Sequence, residues 1–155
     1  MPSTPKTARF TLVSAIALST AALAGGKPVA VSNPQVEIRE GLSDDGKVYP
    51  RLSVDVLVNK KPGKGMALTV KAVCLVGTKK MSDKGIAMAK WDEMDEGETK
   101  RVDLPAFVTN PLDATPASCD FTLKWGRMFG DSAAEVAKFC WTPQGVTEGA
   151  CAKAK

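Results

Sequence analysis

Histidine is absent from all 155 residues. That one absence removes the Ser-His and Cys-His nucleophile pairs, the two-histidine iron site, catalytic zinc and blue copper, all of which need imidazole. Catalysis by carboxylates or lysine is left, and no spacing in the chain calls for it. None of the four cysteines sits in a C-x-x-C pair, which argues against a four-thiolate zinc knuckle and against a thioredoxin-like redox centre. No apolar run approaches the roughly 18 to 20 residues that span a bilayer. Internal repeats and low-complexity tracts are missing as well.

The N-terminus carries an export signature. Lys6 and Arg9 form a positive segment, Phe10 to Ala21 is apolar apart from hydroxyl residues, and Ala22-Leu23-Ala24 has the small-x-small form of a cleavage site. A signal peptide over 1–24 is therefore expected, with cleavage after Ala24 and a periplasmic or secreted product. The remaining 131 residues suit one domain, 25–155, with a short C-terminal tail. Lys6 and Arg9 leave with the signal, which lowers the formal charge from +4 to +2. A domain so near balance is not expected to take nucleic acid, which requires a concentrated basic face. The clusters Lys60-Lys61-Pro62-Gly63-Lys64 and Lys79-Lys80 read as solvated turns rather than anion sites.

Strand periodicity dominates the rest of the chain. Val36 and Ile38 alternate with Gln35, Glu37 and Arg39 before the turn Gly41 to Gly46. Leu52, Val54, Val56 and Val58 alternate with Arg51, Ser53 and Asp55. Lys61 to Gly65 turns the chain into a long strand, 68–76, whose composition suggests cover on both sides. Residues 79–85 read as a connection and 86–91 as the next strand, followed by the acidic turn Asp92 to Glu98. Thr99 to Leu104 is a strand with Val102 and Leu104 inward, and Asn110 to Ala117, with two prolines, is a loop. Cys119, Phe121, Leu123 and Trp125 share one face of a strand. Ser132-Ala133-Ala134-Glu135 spells a capping box, so a turn or single helical turn at 131–135 is expected before a final strand to Thr142.

Six or seven short strands about ten residues apart indicate an all-β sandwich of antiparallel strands. The stretch Trp91 to Leu104, an aromatic followed by the acidic turn Glu96-Gly97-Glu98 and the strand Thr99-Lys100-Arg101-Val102, resembles bacterial immunoglobulin-like or fibronectin-III-like domains. The resemblance implies a single immunoglobulin-like β-sandwich of about seven strands and no particular task. It departs from antibody domains in that Trp91 is the only Trp between Cys74 and Cys119.

Four cysteines allow three pairings, and side-chain direction chooses among them. Cys74 shares a face with Leu68, Val70 and Ala72, and Cys119 with Phe121, Leu123 and Trp125, so both point at the core. Cys140 lies between Phe139 and Trp141. With those aromatics inward, it points outward, within reach of Cys151 on the tail. The expected disulfides are Cys74 with Cys119 and Cys140 with Cys151. A free buried thiol at Cys74 is the alternative.

Three further groups of residues raise chemistry. Asp92, Glu93, Asp95, Glu96 and Glu98 offer hard oxygen ligands for calcium, but the order of an EF-hand loop is absent and a solvated turn is the plainer account. Met66, Met81, Met88, Met94 and Met128 lack the close repeat of a cuprous site and read as core filler. Trp125 and Trp141 belong in the core, whereas Trp91, at the rim of the acidic turn, is expected to be an exposed contact. No cofactor, catalytic residue or metal ligand is assigned. The expected function is a non-enzymatic binding or assembly module outside the cytosol, recognising a protein or envelope component through loops or an edge strand. The alternative is an inhibitor of an exported hydrolase, acting through the proline-stiffened loop Asn110-Pro111-Leu112-Asp113.

Overall fold

The structure, a computed structural model, describes residues 27–43, 45–87, 89–128 and 133–152. The expected signal peptide and Ser132, the first residue of the capping-box spelling, lie outside them. Eight strands form: β1 (Val29–Glu40), β2 (Val48–Val58), β3 (Met66–Val76), β4 (Lys79–Ala87), β5 (Thr99–Pro105), β6 (Ser118–Arg127), β7 (Ala134–Thr142) and β8 (Gly145–Glu148). They assemble into two antiparallel sheets, β1-β2-β5 and β4-β3-β6-β7-β8. The protein is an all-β sandwich.

Period-2 alternation builds both inner faces. In β2, Leu52, Val54, Val56 and Val58 are buried, and in β6 so are Cys119, Phe121, Leu123 and Trp125. These side chains join Leu68, Val70, Ala72 and Cys74 of β3 in one core. β1 keeps its apolar residues inward by means of a bulge. The register steps from Ser32 opposite Asp55 to Gln35 opposite Ser53, so β1 spends one residue more than β2. That residue switches the inward positions from odd (Val29, Val31) to even (Val36, Ile38). Asn33 takes the left-handed conformation there, with φ +52°, which asparagine tolerates better than most residues.

Several expectations are corrected. The segment 79–85 is strand, not connection, and β4 ends at Ala87 rather than continuing to Trp91. Its polar, lysine-rich sequence hid it, because an edge strand with one solvated face needs few apolar residues. The outer side of β3 is open: Lys71 is exposed, and Thr69, Val73 and Leu75 are half-buried. Ala134 and Glu135 are already strand, so no helical turn occupies them. β8 is an additional short edge strand.

The sandwich closes tightly at one side. A Cβ on Gly85 of β4 would collide with the backbone carbonyl oxygen of Pro105 on β5, so this position depends on glycine.

Both expected disulfides form. Cys74 and Cys119 stand directly opposite one another on β3 and β6, with Cα atoms 4.1 Å apart. The bridge therefore stitches neighbouring strands of one sheet instead of joining the two sheets. Cys140 pairs with Cys151 at a Cα distance of 4.8 Å. Cys140 lies opposite Asp120, between inward Phe139 and Trp141, and the tail folds back over this outer face. There the Cys151 amide donates to Asp120 Oδ1 at 2.6 Å. Disulfides of this kind belong to an oxidising, extracytoplasmic setting.

Candidate functional site

Connections gather at the two ends of the sandwich, where a rigid β scaffold holds them. At one end, the β1–β2 connection (41–47) meets the long β5–β6 loop (106–117). The long loop is fastened along its length. The Ala106 amide donates to the Pro50 carbonyl at 3.3 Å, and Leu112 exchanges two backbone hydrogen bonds with Val48, at 2.8 and 2.9 Å. The Ala117 amide donates to the Leu75 carbonyl at 2.8 Å. The loop thus bridges both sheets before entering β6.

Its entry is strained. Phe107 adopts φ +61°, a left-handed conformation that is rare for a bulky residue. Two contacts hold it: its ring is buried, and its amide donates to Asp83 Oδ2 of β4 at 2.7 Å. Such conformations cost roughly 1 to 3 kcal/mol and persist only where the surroundings enforce them. The β5 strand has already ended at Pro105, two residues before Phe107.

The four loop residues singled out in the sequence divide into anchors and exposed groups. Leu112 is buried, so it fastens the loop and is not a contact residue. Alternation was no guide here, because an isolated bridge to Val48 sets its direction. Pro111 is half-buried and packs beside Gly41. Asn110 and Asp113 are exposed, and Asp113 lies 3.7 Å from Lys47 Nζ across the junction of the two loops.

Leu42, which sequence reasoning passed over, stands on the β1–β2 connection next to this loop and is 99% exposed. Val108 is also exposed, on the long loop. The signal for Leu42 was available: it is the single apolar residue within Gly41 to Gly46, where nothing else favours burial.

Trp91 is a correction. It lies at the opposite end of the sandwich, in a single 3-10 turn, Trp91–Glu93, and is buried. Its ring meets Trp125 edge to face, with centroids 5.2 Å apart and planes at 86°. The turn explains the burial: Trp91 and Met94, three residues apart, fall on the same side and both enter the core. Asp92 and Glu93 point to solvent. Trp91 Nε1 is buried with no hydrogen-bond partner among the described residues.

The acidic turn beside it is engaged locally. Asp95 pairs with Lys61 at 3.0 Å, Glu93 with Lys90 at 3.4 Å, and Glu98 accepts from the Asp95 amide at 3.1 Å. Among the described residues, the one close group of three metal-capable side chains is Asp120, Cys140 and Cys151. Two of these are committed to a disulfide.

The loop end therefore combines a rigid scaffold, an enforced strained entry and exposed apolar and polar groups. Comparison with protein-family models, curated proteins and solved structures finds no match for this chain.

Proposed function

We propose that this protein is a non-catalytic binding module of immunoglobulin-like build, exported by an N-terminal signal to the periplasm or beyond. It recognises a protein partner through the end formed by residues 41–47 and 106–117. The observation that carries this reading is the pairing of a fastened, strained loop with a fully exposed leucine beside it. A surface leucine held on a rigid frame loses little conformational freedom on docking, and such preorganisation converts contact area into affinity. The strand order supports the immunoglobulin-like build, since β1-β2-β5 facing β4-β3-β6-β7 follows an A-B-E and C′-C-F-G arrangement. The disulfide within one sheet sets it apart from the inter-sheet bridge of antibody domains.

A photo-crosslinking residue at position 42 tests the reading against one at Lys100, an exposed residue toward the other end. Specific crosslinks from position 42, lost when Val108 and Asn110 are changed to serine and glycine, are expected. Equal crosslinking from both positions overturns it.

The fastening of the long loop also favours a second reading, inhibition of an exported hydrolase. Replacing Asp113, Ala114 and Thr115 with glycine would then abolish inhibition while leaving the fold intact.

A further inference from the structure

The outer faces of the two sheets settle their charges differently. On β1-β2-β5, opposite charges sit across from one another: Arg51 reaches Glu37 at 3.0 Å and Asp103 at 3.8 Å, and Arg101 reaches Asp55 at 3.0 Å. The five-stranded sheet places two lysines opposite one another. Lys71 of β3 stands directly opposite Lys84 of β4 and, on its other side, opposite Thr122 of β6; Thr122 in turn stands opposite Lys138 of β7. One row along, Lys124 lies across from Thr69 on one side and from Glu135 of β7 on the other.

Among the described residues, Lys71, Lys84, Lys124 and Arg127 have no carboxylate within ion-pair distance. The nearby acids are occupied elsewhere. Asp83 holds the Phe107 amide, Asp120 holds the Cys151 amide, and Glu135 pairs with Lys138 at 3.7 Å.

These four cations line one groove of about 750 Å³, to which Glu135 contributes the sole carboxylate among the described lining residues. Between them on the same outer face lie Thr69, Thr122 and the half-buried Ile86. Like charges placed directly opposite on a sheet cost stability, by roughly 0.2 to 1 kcal/mol a pair. An anion bound between them reverses the sign of that interaction.

We propose that this groove binds an acidic oligosaccharide segment laid across β4, β3 and β6, its carboxylates or phosphates on Lys71, Lys84, Lys124 and Arg127. Charge complementarity selects the anion, and the chemistry of the floor selects the sugar. The hydroxyls of Thr69 and Thr122 suit polyhydroxylated rings. No aromatic side chain lies among the described lining residues to stack a base, the feature on which single-stranded nucleic acid relies. The site lies on a different face from the loop end and does not depend on it.

Isothermal calorimetry on the disulfide-bonded protein tests the proposal, with tetragalacturonate as probe, maltotetraose as the neutral control and phosphatidylglycerol-rich vesicles as the competing source of anions. Tetragalacturonate is expected to bind, maltotetraose is not, and added salt should weaken binding by screening. The exposed pair of changes Lys71→Gln and Lys124→Gln should weaken binding about tenfold, or about 1.4 kcal/mol, with the melting temperature unchanged or raised as repulsion is relieved. Absence of tetragalacturonate binding, equal binding by the double variant, equal binding of maltotetraose, or binding to vesicles alone would each overturn it.

Discussion

Changing Cys74 and Cys119 together to alanine removes the stitch between β3 and β6. The bridge closes 45 residues, for which loop-closure entropy gives about 4 kcal/mol at 25 °C. Both cysteines are fully buried, and a methyl-sized void adds about 1 kcal/mol. The expected loss is thus roughly 4 to 6 kcal/mol, against a total of only about 5 to 15 kcal/mol for a typical domain. The second bridge closes 11 residues and is worth about 3 kcal/mol by the same relation. Its loss has a cheaper outlet, however, because β8 and the tail can detach locally while the sandwich persists. Urea unfolding followed by tryptophan fluorescence separates the two in a Trp141→Phe background, where the signal comes from the Trp91–Trp125 pair in the core and not from the residue beside Cys140 and β8. With a slope of about 2 kcal/mol/M, the Cys74/Cys119 variant should lose roughly 2 to 3 M in midpoint. Cys140→Ala with Cys151→Ala should lose less than half as much. Equal shifts, or a Cys74/Cys119 shift below about 0.5 M, would refute the loop-closure reasoning.

Gly85→Ala should destabilise by roughly 1 to 3 kcal/mol, the usual cost of overpacking, because the new methyl meets the Pro105 carbonyl; thermal melting measures it, and a neutral result would mean that β4 and β5 do not close as described. Trp91→Phe should cost no more than about 1.5 kcal/mol, well under a typical large-to-small change, since it removes a buried donor that lacks a partner among the described residues as well as apolar area. Asp55→Asn probes the paired face. The Arg101 guanidinium, and after it the Asn33 amide, hold the Asp55 carboxyl below its ordinary value of 3.8. A carboxyl harder to protonate folded than unfolded adds stability that is complete above the unfolded value and fades as pH falls through the folded one. The site is solvent-accessible, so the variant should lose only about 0.2 to 1 kcal/mol at neutral pH. That difference should disappear in acid, and a pH-independent difference between the two proteins in chemical denaturation would count against the assignment.

Where one face of a strand is dry and the other wet, alternation in the sequence was enough. β2 and β6 follow from it, as does the pairing of the cysteines, because Cys74 and Cys119 sit in phase with core residues while Cys140 is out of phase with Phe139 and Trp141. Alternation fails where burial is set by something other than strand geometry. Trp91 is buried by a 3-10 turn that places it beside Met94, and Leu112 by one isolated backbone bridge. β4 escaped notice for the opposite reason: its hydrogen bonds to β3 need no apolar side chains, and its lysines imitate a loop. The groove was invisible because Lys71, Lys84 and Lys124 come from three strands and meet only through register.

That register also bears on why the sheet tolerates its own charge. The Cys74–Cys119 bridge joins β3 and β6, the strands that carry Lys71 and Lys124, while β4, which carries Lys84, is held by Gly85 against Pro105. Repulsion between opposed lysines amounts to a fraction of a kcal/mol up to about 1 kcal/mol, several-fold less than the about 4 kcal/mol ascribed to the bridge. The opposed pair lies between β3 and β4, outside the bridge, so β4 relies on its backbone ladder with β3 and on its close approach to β5 at Gly85. The three-stranded sheet, with no such link, pairs its arginines with acids. Among the described residues of the larger sheet, Lys71 and Lys84 are the directly opposed like charges, since Lys124 faces Glu135, so the cost that a bound anion would relieve is that of this one pair.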